Sequence, residues 1–275
     1  MRRVRLLARI VLGLVFATAG IRLLLNTQAA IARRRIGKPL GEESLDADRL
    51  WRRRLAGPPI ELLLLGDSLA AGLGAETRKQ TLGARLAKGL AGSEGRSVRL
   101  TTAAVVGSES PGLGTQIDAL APELRPDVTV IVVGGNDVTH RLPASVSAEH
   151  LGAAIVRLRA RGAEVVVGTC PDLGALRAVP QPLRRLAPSL SRRLAEVQAE
   201  TATRAGAEAV DLRRAVGPMF FDEPEAMFSL DRFHPSPLGY RRTAEALLPA
   251  VRRALARSVA EGGGPLGDAS GALLV

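Results

Sequence analysis

Asp231 and His234 stand three residues apart in LDRFHPSPLGY, residues 230–240. At that spacing a carboxylate can accept a hydrogen bond from one imidazole nitrogen and leave the other as a base. Pro235 and Pro237 stiffen the loop that presents them. The candidate for deprotonation is Ser68. It lies in IELLLLGDSLAAG, residues 60–72, where a leucine run ends abruptly on Gly66, Asp67 and Ser68. A third part is Asn136 in VIVVGGNDVTH, residues 130–140, whose neutral amide can donate to developing negative charge without titrating. Gly107, in AAVVGSES, can offer an unobstructed backbone N–H to the same place.

Each residue also has a plain structural reading. Gly66 permits a tight turn, and Asp67 or Ser68 caps a helix. Asp231 can be a turn residue, His234 a surface histidine, Asn136 an Asx-turn and Gly107 an ordinary turn glycine. The Gly-x-Ser-x-Gly elbow is not satisfied, because Ala70 occupies its last position.

The elements that would position these groups alternate. Apolar runs at residues 60–65, 98–106, 128–133, 165–168 and 207–211 read as strands, and segments 81–90, 113–124, 148–161, 190–205 and 238–255 read as helices. Continuous apolar strands alternating with amphipathic helices predict an α/β domain with a parallel sheet covered on both faces. Ser68 follows the first strand, Gly107 the second and Asn136 the third, while Asp231 and His234 fall between the fifth strand and the last helix. Ligands of open parallel sheets bind outside the carboxyl ends of the strands, so all five groups are expected at one edge.

Taken in order, GDSLAAG, a glycine after the second strand, GGND and DRFHP resemble the four blocks of the SGNH (GDSL-type) hydrolase family, over about residues 60–255. GTCPDLG, residues 168–174, and the Arg, Ala and Leu bias resemble actinobacterial members. The resemblance implies a flavodoxin-like three-layer α/β/α sandwich with a five-stranded parallel sheet in the order 2-1-3-4-5. It also implies roles: Ser68 as nucleophile, His234 as base and Asp231 as its orienter. The oxyanion hole would comprise the backbone N–H groups of Ser68 and Gly107 and the side chain of Asn136. One departure stands out. The family's second block usually carries an asparagine shortly before its glycine, where this chain reads TTAAVVGSES; Gly112 and Gly114 are the substitutes for Gly107.

The expected activity is a serine esterase acting on a small-molecule or lipid-like ester, with no cofactor and no metal. The alternatives are an acyltransferase on the same fold and a non-catalytic, membrane-anchored binding module. His140 and His150 read as structural or exposed, and Cys170, ending the run AEVVVGTC, as a buried inert thiol. Four of the five phenylalanines lie in residues 216–233. Phe220 and Phe228 are expected to wall an acyl pocket beside Ser68, the alternative being ordinary packing under a long loop.

The charge of +11 over 275 residues is lopsided: residues 1–54 carry 13 Lys/Arg against 4 Asp/Glu. A basic balance confined to one terminus argues against a nucleic-acid partner and for attraction to anionic lipid. Within it, the apolar run of residues 6–25 has bilayer-spanning length. Residues 1–32 are therefore expected to form a membrane anchor placing the enzyme outside the cytoplasm. The alternative is a signal segment cleaved after the ATA of residues 17–19, releasing a secreted protein. Residues 33–59 read as a linker, with a short amphipathic helix around 45–55 bearing Trp51. Residues 60–258 read as the hydrolase domain, and residues 259–275 as a disordered tail.

Overall fold

The structure, a computed structural model, describes residues 9, 11–21, 23–24, 27–28, 31, 41, 43–177 and 181–262. Six strands form one sheet: β1 (Arg49–Trp51), β2 (Ile60–Gly66), β3 (Val98–Thr102), β4 (Val128–Val132), β5 (Glu164–Gly168) and β6 (Glu208–Val210). Their spatial order is β1-β3-β2-β4-β5-β6. Strands β2 to β6 are mutually parallel, and β1 runs antiparallel to β3. The parallel part has the expected 2-1-3-4-5 order, and the sheet as a whole is mixed.

Strand pleat explains why leucine fills both parities of β2, since successive side chains point to opposite faces. Leu62 and Leu64 join Val128, Val130 and Val166 in one core. Leu63 and Leu65 join Ile131, Val133, Val165 and Val167 in the other. From β1 onward the α-helices among the described residues, in chain order, are α1 (Ser68–Ala71), α2 (Leu82–Glu94), α3 (Leu113–Asp118), α4 (Gly135–His140), α5 (Ala144–Arg159), α6 (Leu183–Arg204), α7 (Leu212–Ala215), α8 (Gly217–Asp222), α9 (Pro224–Met227) and α10 (Pro237–Gly262). The first core is closed by Leu82, Leu86 and Leu90 of α2 and by Tyr240, Leu247 and Val251 of α10. Leu113 and Ile117 of α3, Leu151, Ile155 and Leu158 of α5 and Ala202 of α6 close the second. Truncating any β2 leucine to alanine in such a core costs about 2–5 kcal/mol.

Several expectations need correction. No helix bears Trp51: residues 49–51 are the strand β1, so part of the supposed linker belongs to the sheet. Trp51 is buried, with the Arg49 guanidinium 5.4 Å and the Lys88 ammonium 5.6 Å from its ring, and Asp48 Oδ2 accepts the Thr102 N–H at 2.8 Å. Strand β3 stops at Thr102 instead of residue 106. The Ala103 and Val105 N–H groups still donate to Leu64 and Gly66, but Val105 is exposed and a turn follows. Helix α10 continues to Gly262, through residues 259–262 of the expected tail; the rest of that tail lies outside the described residues. The expected N-terminal spanning helix finds no support. Residues 11–21 are helical and exposed, but among the described residues no helix is long and apolar enough to cross a membrane. Residues 1–8, 10, 22, 25–26, 29–30 and 32 of that segment, and residues 33–40 and 42 of the linker, lie outside the described residues.

Candidate active site

The end of β2 is built to bring chain against chain. Gly66 has φ +132, and a Cβ there would stand 1.8 Å from the Val132 carbonyl oxygen, so no other residue fits beside β4. Asp67 then caps α1: its Oδ1 accepts the Leu69 N–H at 3.0 Å. Its Oδ2 accepts the N–H groups of Gly134 and Gly135, at 3.2 and 3.3 Å, from the turn after β4. Ser68 opens the helix with its side chain against His234: Nε2 lies 2.9 Å from Oγ. On the other side of the ring, Nδ1 lies 2.5 Å from Asp231 Oδ2.

Local hydrogen bonds shape the loop that carries the histidine. Asp231 Oδ1 accepts the N–H groups of Phe233 and His234 at 3.0 and 2.9 Å, closing a turn in which Arg232 takes φ +55. Ser236 Oγ accepts the N–H groups of Leu238 and Gly239 at 3.1 Å, starting α10. Asn136, in the first turn of α4, donates from Nδ2 to the Ser108 carbonyl at 3.0 Å. Gly107, the neighbour of Ser108, has φ +81 and lies exposed in the turn after β3.

The two carboxylates are tuned in opposite directions. Burial pushes Asp67 up to about 6, against the lowering pull of the Leu69, Gly135 and Gly134 N–H groups and of His234. Burial also raises Asp231, but the hydrogen bond and charge of His234 and two backbone N–H groups outweigh it, and its carboxyl is held below the usual value. Asp231 is thus set to remain ionised beside the imidazole.

A family model for the GDSL-like lipase/acylhydrolase family matches residues 64–242, which take in every group just described. The chain belongs to that family. A GDSL-like esterase of Mycobacterium tuberculosis is 43% identical over 208 residues, 74% of this chain and 65% of its own length; the chain thus matches just under two thirds of that relative. The esterase TesA of Pseudomonas aeruginosa is 29% identical over 194 residues, 70% of this chain and 87% of its own length. Among solved structures, an acetyl xylan esterase superposes with a TM-score of 0.56 at 21% identity, covering 70% of this chain and 100% of its own. At that identity the likeness concerns the fold.

Within this GDSL-family frame, the structure joins Ser68, His234 and Asp231 in one hydrogen-bonded series and ties Asn136 to the loop of Gly107. Phe220 and Phe228 pack edge to face, with centroids 4.9 Å apart. Together with Leu69, Leu212, Val216 and Phe233 they line a pocket of about 50 Å³. Leu69 and Phe233 are the chain neighbours of Ser68 and His234. His140 and Asp137 do not share a site: the His140 ring faces Glu109 at 2.6 Å on the surface, whereas buried Asp137 accepts the Ser110 N–H. His150 is half-buried on α5. Cys170 is fully buried, which pushes its thiol well up.

Three supporting residues escaped the motif reading. Asp67 read only as a cap, yet it also binds the turn of Asn136. Tyr240 is buried on α10 and donates its phenol to the Leu73 carbonyl at 2.7 Å, tying the helix after His234 to the loop after Ser68. Gln116, buried on α3, reaches Gly66 and Ser108. Their partners are backbone atoms or side chains distant in sequence, so no spacing rule signals them.

Proposed function

We propose that the protein is a serine esterase that cleaves carboxylic esters through an acyl-serine intermediate. The observation that carries this reading is the series Ser68 Oγ, His234 Nε2 and Nδ1, Asp231 Oδ2, with separations of 2.9 and 2.5 Å. A serine hydroxyl is a weak nucleophile until a base takes its proton. In this scheme His234 takes that proton as Oγ bonds to the ester carbonyl carbon, and Asp231 stabilises the imidazolium. The carbonyl oxygen becomes an oxyanion, stabilised by the N–H groups of Ser68 and Gly107 and by the Asn136 amide proton not given to Ser108. The intermediate collapses, and the alcohol leaves with the proton from His234. Water then attacks the acyl group with His234 again as base, regenerating Ser68.

The apolar pocket next to Leu69 supports an acyl rather than a polar leaving group on that side. A single water needs about 10–15 Å³, so a pocket of about 50 Å³ suits an acyl chain of a few carbons. The relatives' names, GDSL-like esterase and esterase, favour water over an alcohol as acceptor.

Labelling with a fluorophosphonate tests the reading. Stoichiometric modification of Ser68 is expected, abolished in Ser68→Ala and strongly reduced in His234→Ala. A folded protein that takes up no label and hydrolyses no aryl ester refutes it and leaves a binding module. Ester turnover that yields only transfer to an added alcohol assigns an acyltransferase instead.

A further inference from the structure

We propose that Gln116 is a positioning residue that holds the nucleophile strand and the oxyanion loop in register. The inference rests on the esterase reading and deepens it. Gln116 is 4% exposed and spends its whole amide on the two sides of the site. Its Oε1 accepts the Gly66 N–H at 2.9 Å, and its Nε2 donates to the Gly66 carbonyl at 2.8 Å and to Ser108 Oγ at 3.1 Å.

The first two bonds imitate a neighbouring strand. Strand β3 ends at Thr102, and beyond it only the Val105 N–H reaches the Gly66 carbonyl from that side. Without Gln116 the Gly66 N–H would be a buried, unpaired donor. The side chain therefore completes the ladder at the last residue of β2, two positions before Ser68. The third bond runs to Ser108, which follows Gly107 and whose carbonyl receives the Asn136 amide. One buried amide thus spans from the strand of the nucleophile to the loop associated with two oxyanion donors.

Only an amide meets this demand, because it accepts at one atom and donates twice at the other. A glutamate of the same length keeps the acceptor but sets a second oxygen against the Gly66 carbonyl and Ser108. Displacements of about 1 Å in such an assembly cost on the order of 100-fold in rate.

The test compares Gln116→Glu, Gln116→Met and Ser108→Ala with the parent enzyme on an aryl acetate, with folding checked by near-UV circular dichroism. The expected result is a fall in kcat of roughly 10- to 100-fold for both Gln116 variants, with KM within about threefold. In an Asn136→Ala background the penalty of Gln116→Glu should shrink, because part of it acts through Ser108 and Asn136. The ratio of Gln116→Glu to parent kcat should rise as pH falls and the new carboxyl gains a proton with which to donate. Ser108→Ala cuts the third bond, together with the hydroxyl's own bond to the Glu109 carbonyl at 3.2 Å, and leaves both Gly66 bonds in place at a half-buried site. It keeps the proposal open to refutation should both Gln116 variants misfold, and its kcat should fall severalfold. Parent-like kcat in a folded Gln116 variant, full additivity with Asn136→Ala, or parent-like kcat in Ser108→Ala overturns the proposal while leaving the esterase intact. An inactive, unlabelled parent overturns the esterase reading instead.

Discussion

The carboxylate of Asp67 grips the turn after β4: its Oδ2 lies 3.2 Å from the Gly134 nitrogen, while its Oδ1 caps the helix opened by Ser68. One buried acid therefore sets the angle between the serine and the turn that carries Asn136.

That acid makes stability pH-dependent. Its folded pKa of about 6 stands above the ordinary 3.8, so the native state holds the proton more tightly than the unfolded chain. The resulting stabilisation is complete below pH 3.8 and is lost as pH rises through 6; the gap corresponds to roughly 3 kcal/mol. The titratable groups in its field are His234, Cys170 and Tyr240. In Asp67→Asn the contribution is absent, so the stability of the parent relative to this variant should decline between pH 4 and 7. Urea unfolding at four pH values checks this, and parallel curves would refute it.

Asp231→Asn should fold and lose kcat by roughly 1000- to 10,000-fold, with KM little changed. The amide cannot hold Nδ1–H as the carboxylate does at 2.5 Å, so the imidazole turns a proton toward Ser68 instead of a lone pair. Steady-state kinetics on an aryl ester reads the split between kcat and KM.

Asn136 has two amide protons and gives one to the Ser108 carbonyl. Asn136→Ala should lower kcat about 100- to 1000-fold. Asn136→Asp should lose at least as much, because an ionised carboxylate repels the oxyanion that the amide attracts. Equal kcat in the parent and both variants would remove Asn136 from the oxyanion hole.

Phe220 and Phe228 line a pocket of about 50 Å³ and pack edge to face against each other. The parent should prefer short acyl chains, and Phe220→Ala or Phe228→Ala should shift the optimum in a nitrophenyl ester series to longer ones. An unchanged profile at normal stability would mean that the rings only pack under the loop.

What the sequence disclosed follows from where each interaction lies. The stretches IELLLL, VTVIV and EVVVG read correctly as strands because burial on both faces leaves no polar alternation. Ser68, Asn136, Asp231 and His234 stood out through local spacing and their place beside strand ends. Strand β1 stayed hidden, since RLW pairs over three residues and is flanked by arginines without period-two patterning. Its fold depends on tertiary contacts, the Trp51 ring against Lys88 and Asp48 against Thr102. Gln116 and the second grip of Asp67 were equally silent, because they bind atoms 50 and 67 residues away.

Both outer strands of the sheet, β1 and β6, are only three residues long, and β1 precedes the region matched by the family model. Without it, β3 would offer its backbone donors and acceptors to any neighbouring copy, an invitation to edge-to-edge aggregation. Arg52, Arg53 and Arg54, exposed immediately after Trp51, add like-charge repulsion at that flank. A polypeptide trimmed to begin at residue 60 would keep every reactive group and lose its protection against self-association.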